Sequence, residues 1–284
     1  MSDLTGFYPG MDFDEYLASD ALSSSMARLL TKHVPAKAIE LARNGKPTKA
    51  MNLGSAVHAH VLGTGPRLIV WEHDGRTREG KAERLLAADD LATGEALAVT
   101  ATEHEQIVGM STALRSHPEF AAILDRAQAE VSAFWREGNV LCRARFDLLA
   151  DDGAWDYKST NDASTRGFSK AMGSFLYNQQ ADLYERALTA LRHPAAGQQV
   201  RFICQETESP FLVQIHWADE MARETAKVLN DRAIDTYRAC VATGEWPAYP
   251  SVYGGPVPLP AYFYFDYAEV LPDEWRPLEQ EIVI

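Results

Sequence analysis

Two aspartates and a lysine lie in a pattern that suits phosphodiester hydrolysis. Asp156 and Lys158 are two residues apart in AWDYKST (154–160), so a strand puts them on one face. Asp147 sits in VLCRARFDLLA (140–150), in step with Arg143 and Arg145. The Asp151-Asp152-Gly153 turn between the two segments makes them antiparallel neighbours. Pairing about Asp152 brings Asp147 opposite residue 157, within one residue of both Asp156 and Lys158. Two carboxylates side by side repel unless a cation neutralises them. Such oxygen ligands suit Mg²⁺, with Mn²⁺ as a substitute, because both ions keep waters and accept phosphate oxygens. The ion would stabilise charge on the phosphate and make water nucleophilic, and a nearby ammonium lowers that water's pKa. Asp-x-Lys also fits a plain salt bridge on a strand surface.

Other residues add to this set. GSAVHAHVL (54–62) puts His58 on a helix beside Gly54, Ser55 and Ala59, small enough for close approach to a sheet or ligand. Gln180 and Tyr184 are four apart and share a helix face; Tyr184 equally suits a core. Glu130 opens a strand, either as an outer metal ligand or as a solvated strand end. Candidate phosphate contacts are Arg28, Arg143, Arg145 and Arg166, since Arg pairs bidentately with phosphate. Ser23 and Ser25 stand at a helix start, where free N–H groups favour an anion.

The elements that must carry these residues are legible in outline. Ser23–Ser25 caps a helix to about Lys32. Pro35 opens another, with Gly45 past its end. A helix over 51–62 stops at Gly63. RLIVWE (67–72) is strand-like, and HDGRTREGK (73–81) reads as a polar loop. Thr102 and Glu105 form a capping-box pattern for a helix to Ser116. EVSAFWRE (130–137), VLCRARFDLLA and AWDYKST alternate, with tight turns between them, and so form an antiparallel meander. A long helix is expected over 168–191, strands at 199–206 and 211–217, and a last helix from Asp219 to Thr243 with Gly244 beyond. The tail is Pro- and aromatic-rich.

The chain has 284 residues, 46% hydrophobic and 24% charged, the balance of a globular protein with a sizeable core. One domain is expected, with a helical part to about residue 65, a catalytic core over about 50–217, and a C-terminal helix and tail from 218. No run reaches the ~20 apolar residues of a membrane span, and residues 1–20 lack a signal-peptide pattern. Three cysteines, without zinc spacing, point to a reducing, intracellular location. The net charge of −13 argues against a nucleic-acid partner at face value. Its distribution weakens that argument. Residues 1–20 and 264–284 carry eleven acids and one arginine, whereas 26–49 carries six Lys or Arg against Glu40. That stretch suits either a local anion-binding surface or solvated helix faces.

The combination resembles the RecB-like branch of the PD-(D/E)XK nucleases, and within it the phage and prophage RecE-type exonucleases (exodeoxyribonuclease VIII-like). SDALSSSMARLL resembles the family's Leu-Ser-x-Ser segment, and NLGSAVHAHVLG its Gly-x-x-x-His helix. LCRARFDLLADDGAWDYKST resembles its core, YNQQADLY its Gln-x-x-x-Tyr helix, and GEWPAYP its Trp-Pro end. These blocks run from 21 to about 250. The resemblance implies an α/β restriction-endonuclease-like core: helix, three-stranded antiparallel meander, helix, strand, with helical additions. It implies His58, Asp147 and Asp156 as metal ligands, Lys158 as the catalytic lysine, and Gln180 and Tyr184 in the site. It further implies 5′→3′ degradation of one strand at double-stranded DNA ends. That leaves a 3′ overhang for a RecT-type single-strand annealing partner, in the cytoplasm of a bacterial or phage-infected cell. A homo-oligomer is implied, with a ring as one form. A related endonuclease or structure-specific nuclease, or a catalytically silent DNA- or protein-binding relative, would carry the same blocks. Three cysteines cannot build the iron–sulfur cluster of some RecB-like nucleases, and no Walker A motif is present.

Overall fold

The computed structural model describes residues 4–45, 49–64, 66–94, 96–252, 254–270 and 272. The chain begins with β1 (Gly6–Tyr8), α1 (Phe13–Ala18), β2 (Leu22–Ser23), α2 (Ser24–Lys32), α3 (Pro35–Asn44) and α4 (Lys49–Leu62). It continues through β3 (Arg67–Trp71), α5 (Arg78–Leu86), α6 (Ala88–Thr93), β4 (Ala96–Thr100), α7 (Ala101–Arg115) and α8 (Pro118–Arg126). The centre is β5 (Gln128–Glu137), β6 (Val140–Ala150), β7 (Gly153–Thr160), α9 (Thr165–Phe175) and α10 (Tyr177–Ala190). Then come β8 (Arg201–Glu206), β9 (Val213–His216) and α11 (Glu220–Thr243). Residues up to Pro247 form one compact unit, and those from Ala248 onward form a second, with α12 (Ala261–Asp266) and a 3₁₀ turn at Ala268–Val270.

The main sheet runs β1-β5-β6-β7-β8-β9, with β2 added beside β6. β5, β6 and β7 are the expected antiparallel meander. β7 and β8 are parallel, joined by the α9–α10 crossover, and β8–β9 is antiparallel. One face of the sheet packs on α2, α3, α9, α10 and α11, around Trp135, Phe146 and Leu183. The other packs on α4, α7 and α8, around Met110, Leu148 and Trp155. β7 is buried on both faces from Gly153 to Tyr157, whereas β6 alternates between buried and half-buried positions up to Asp147. Asn230 of α11, fully buried, binds Gln179 and Asp182 of α10 and so fixes that helix against the core.

Three expectations need correction. The box at the start of α7 is Thr100 with Glu103, not Thr102 with Glu105, because β4 runs straight into the helix and its last residue is the cap. Residues 78–81 belong to α5, started by Thr77, whose hydroxyl accepts the Gly80 N–H at 3.0 Å. The helix expected over 168–191 is two helices, broken at Leu176 with φ 55°. Lys46, the Lys49 side chain and the acidic residues Asp3, Asp273, Glu274, Glu279 and Glu281 lie outside the described residues. Among the described residues no helix is long and apolar enough to cross a membrane. Cys142, Cys204 and Cys240 are buried free thiols.

Candidate active site

The site lies where β6 and β7 part. Their ladder holds only from Ala150–Gly153 to Leu148–Trp155. Beyond it β7 continues along β8, and β6 takes β2 as its neighbour at Cys142 and Arg143. Asp147 stands at the fork. Its Oδ2 accepts the Tyr157 N–H at 2.7 Å, supplying the acceptor that β6 no longer offers.

Glu130 is the residue of β5 opposite this point. The β5–β6 register is constant on either side of it, yet Glu130 has φ 55°, an uncommon conformation for a residue with a Cβ. The burial alternation reverses here. Val131 and Ala133 pack on one face of the sheet, and Ala129 packs on the other. Strain of this kind, of order 1–3 kcal/mol, persists where surrounding structure enforces it. The outcome is that Glu130 and Asp147 converge on His58 of α4. The imidazole Nε2 lies 3.0 Å from Asp147 Oδ2, and Nδ1 lies 3.5 Å from Glu130 Oε1. α4 comes close because Gly54 faces β7: a Cβ there would lie 3.4 Å from Ser159 Oγ.

Asp156 and Lys158 point to the same face of β7, toward α10. Asp156 is 1% exposed. Its Oδ1 accepts from Gln180 Nε2 at 2.6 Å, and its Oδ2 pairs with the Lys158 ammonium. The Tyr184 hydroxyl donates to the Arg145 carbonyl at 2.8 Å and accepts from Gln180 at 3.2 Å. Gln180 is therefore oriented by Tyr184 before it meets Asp156. Tyr177, on the same helix face, completes the wall: Lys158 Nζ lies 4.9 Å from its ring centre. Sequence reading passed over Tyr177, although the 177/180/184 spacing marks one helical stripe.

Charge follows from this geometry. Burial alone would lower the His58 pKa, but Asp147, Glu130 and Asp156 together raise it to about 9. Burial raises Asp156 to about 6, Lys158 opposing and Asp147 assisting. Asp147 is held below the usual carboxylate range: burial opposes this, but His58, Lys158 and the Tyr157 N–H prevail. Lys158 is raised despite its burial by Asp156 and Asp147, so it remains an ammonium.

His58, Glu130 and Asp147 each offer a ligand atom within 4.8 Å of the others. One imidazole and two carboxylates suit Mn²⁺ and Mg²⁺, and the His58 imidazolium already fills the place of a cation between the carboxylates. Asp156 adjoins this set, its oxygens turned to Gln180 and Lys158. Arg145 is turned inward, to Glu130, Ser132 and the Met11 carbonyl. Arg143 binds the Tyr16, Leu17 and Ser19 carbonyls at the end of α1. Arg28 bonds to Ser24, Ser25 and the Phe175 carbonyl. Ser23 Oγ caps the Met26 N–H at 3.2 Å, while Ser25 and Arg166 are exposed. A cavity of about 430 Å³ at the end of α4, lined by His60, Thr64, Leu68 and His104 among others, contains none of these groups.

A protein from Eubacterium rectale, described as a "putative exonuclease", shares this fold, with a TM-score of 0.60 over 92% of this chain and 99% of that one, at 11% identity. No curated protein matches the sequence. Residues 23–252 match a family described as a PDDEXK-like domain of unknown function. That span holds the sheet except β1 and Leu22 of β2, both helical layers and every residue of the carboxylate site, and the chain belongs to this family of PDDEXK-like domains.

Proposed function

We propose that this protein is a metal-dependent deoxyribonuclease that degrades double-stranded DNA from its ends, 5′→3′, with Mg²⁺ as its ion and Mn²⁺ as a substitute. The observation that carries the reading is the convergence of His58, Glu130 and Asp147 beside the pair of buried Asp156 and half-buried Lys158. A divalent ion held there would polarise a phosphate oxygen and make a bound water nucleophilic. The residues themselves do the rest. The water oxygen bonds to phosphorus and gives up a proton to solvent as the bond to the leaving oxygen breaks, and that oxygen takes up a proton from solvent. Lys158 stays protonated, so it acts as a fixed positive charge beside the attacking water rather than as a proton acceptor. Asp156 holds the ammonium in place, and Gln180, anchored by Tyr184, holds Asp156.

Attack from the end rests on the sequence resemblance and on the description of the E. rectale protein, and the 5′→3′ polarity rests on the resemblance alone. A seat for a terminal phosphate is offered by the start of α2, where Ser23 caps, Ser25 is exposed and Arg28 is adjacent. The product would be a 3′ overhang for a RecT-type annealing protein, and the working form a homo-oligomer, with a ring as one such form. The test is end-labelled linear duplex beside closed circular duplex, with Mg²⁺ or with EDTA. Digestion of the linear form alone, in Mg²⁺ only, is expected. Cutting of the circle would make the protein an endonuclease, and binding without cutting would make it a silent relative.

A further inference from the structure

The break between α9 and α10 turns an aromatic residue outward next to the catalytic lysine. Leu176 takes the left-handed conformation at φ 55°. Leucine takes it with strain, because its Cβ crowds the carbonyl. The break leaves Phe175, the last residue of α9, 55% exposed. Burial of such a side chain is favourable, and this one stays out. Its ring is not loose. It stacks on Tyr177 at 5.5 Å with 26° between planes, and Tyr177 stacks in turn on buried Phe168 at 5.9 Å and 17°. The backbone beneath is pinned from α2: Arg28 donates to the Phe175 carbonyl at 3.1 Å and Lys32 donates to the Ser174 carbonyl. Tyr177 also lies against Lys158, so two ring contacts lead from the catalytic ammonium to an exposed aromatic face.

We propose that Phe175, backed by Tyr177, forms a stacking platform for a nucleobase of the strand being cut, adjacent to the scissile phosphate. The Phe175 ring is held from behind by Tyr177 and stands beside Arg28 and Lys32, two cations that draw a phosphate backbone toward it. Every base has a π face, so a platform of this kind positions any sequence. That suits an enzyme that moves along a strand without reading it. This inference deepens the nuclease reading and rests on it.

The test is a cycle between the ring and the base. Single-turnover cleavage is measured on duplexes carrying an abasic residue, moved one nucleotide at a time across the cut, for the wild type, Phe175→Ala, Phe175→Leu and Phe175→Trp. Base–aromatic stacking is worth about 1–3 kcal/mol, or roughly 5- to 150-fold. The wild type should slow by about tenfold or more at one abasic position. Phe175→Ala and Phe175→Leu should slow by a like factor on intact DNA and lose nothing further at that position, while Phe175→Trp keeps the wild-type pattern. Additive losses, or a leucine variant as fast as wild type, overturn the platform. Binding of DNA with 2-aminopurine at the same position, in EDTA, needs no cleavage. Fluorescence should be quenched by wild type and not by Phe175→Ala. Quenching without cleavage in any metal would refute the nuclease reading and keep the platform. Cleavage without that quenching difference would refute the platform alone.

Discussion

Asp147 Oδ2 takes the Tyr157 N–H at 2.7 Å, where the ladder between β6 and β7 has stopped. The same oxygen lies 3.0 Å from His58 Nε2. One carboxylate thus closes a gap in the sheet and helps form the candidate metal site.

Those two roles separate by substitution. Asn at 147 keeps an oxygen for the Tyr157 N–H but has no charge. Asp147→Asn should bind Mn²⁺ at least tenfold more weakly, as loss of a metal-site carboxylate implies, lose cleavage, and keep the bond to Tyr157 while giving up the charge that pairs with His58. Asp147→Leu should do the same to metal and activity but also lose about 1–3 kcal/mol, the cost of an unpaired buried N–H. Calorimetric Mn²⁺ titration and urea unfolding check both. Equal stability of the two variants would mean that the bond to Tyr157 carries no weight.

The site as a place was legible in the sequence to the extent that local rules govern it. Period-2 alternation and the Asp-Asp-Gly turn put Asp147 beside Asp156 and Lys158, and i,i+4 spacing put Gln180 with Tyr184. The register error was one residue: Leu148 pairs with Trp155, which sets position 147 toward 156 instead of 157. Glu130 had two readings, ligand or strand end, because its left-handed φ overrides the alternation that side-chain facing is read from. The break at Leu176 was hidden for the same reason, since leucine, unlike Gly or Asn, gives no warning of such a conformation. Arg143 and Arg145 were expected on phosphate. Their partners are distant in sequence, on α1 and at Met11 and Glu130, and no local pattern shows them.

Proton competition should govern metal binding. In the metal-free site burial opposes the His58 proton, but the three carboxylates raise its pKa to about 9 from 6.5. That proton stabilises the folded protein fully below pH 6.5, and the contribution is lost as pH rises through 9. A metal must displace it. Mn²⁺ affinity should therefore climb with pH, approaching about tenfold per unit between these limits for one proton released, and level off above. His58→Gln should bind weakly and with little dependence on pH in this window. Titration calorimetry in buffers of different ionisation enthalpy gives both affinity and proton count. A wild-type profile that stays flat would show that His58 does not meet the metal.

In the proposed mechanism Lys158 acts mainly in the transition state. Lys158→Ala should slow single-turnover cleavage by about 10²–10³-fold, the scale for removing a preorganised electrostatic group. Duplex affinity should change by no more than a few-fold, the pattern of an interaction made mainly in the transition state. A variant with a normal rate at saturating enzyme but weak binding would instead make Lys158 a phosphate anchor.

A protein of net charge −13 that binds a polyanion needs a local cationic path. Arg28 and Lys32 lie beside the site on α2, whereas Arg143 is committed to three carbonyls at the end of α1 and to the Tyr16 ring, 4.8 Å away. The two arginines should therefore fail differently. Arg143→Ala strands those carbonyls and should lose about 1–3 kcal/mol of stability, with the salt dependence of DNA binding unchanged. Arg28→Ala gives up bonds to the Phe175 carbonyl and Ser25 Oγ that are exposed and open to water, so it should lose little stability but release about one counterion fewer, lowering the slope of log affinity against log salt by ~0.9. It should also slow digestion of 5′-phosphorylated ends more than of 5′-hydroxyl ends, because the start of α2 then holds the end phosphate less well. Fluorescence anisotropy at several salt concentrations, urea unfolding and initial rates on the two end types measure all three. An Arg143→Ala variant with native stability and a reduced salt slope would reverse the assignment and move the DNA path to the other side of β2.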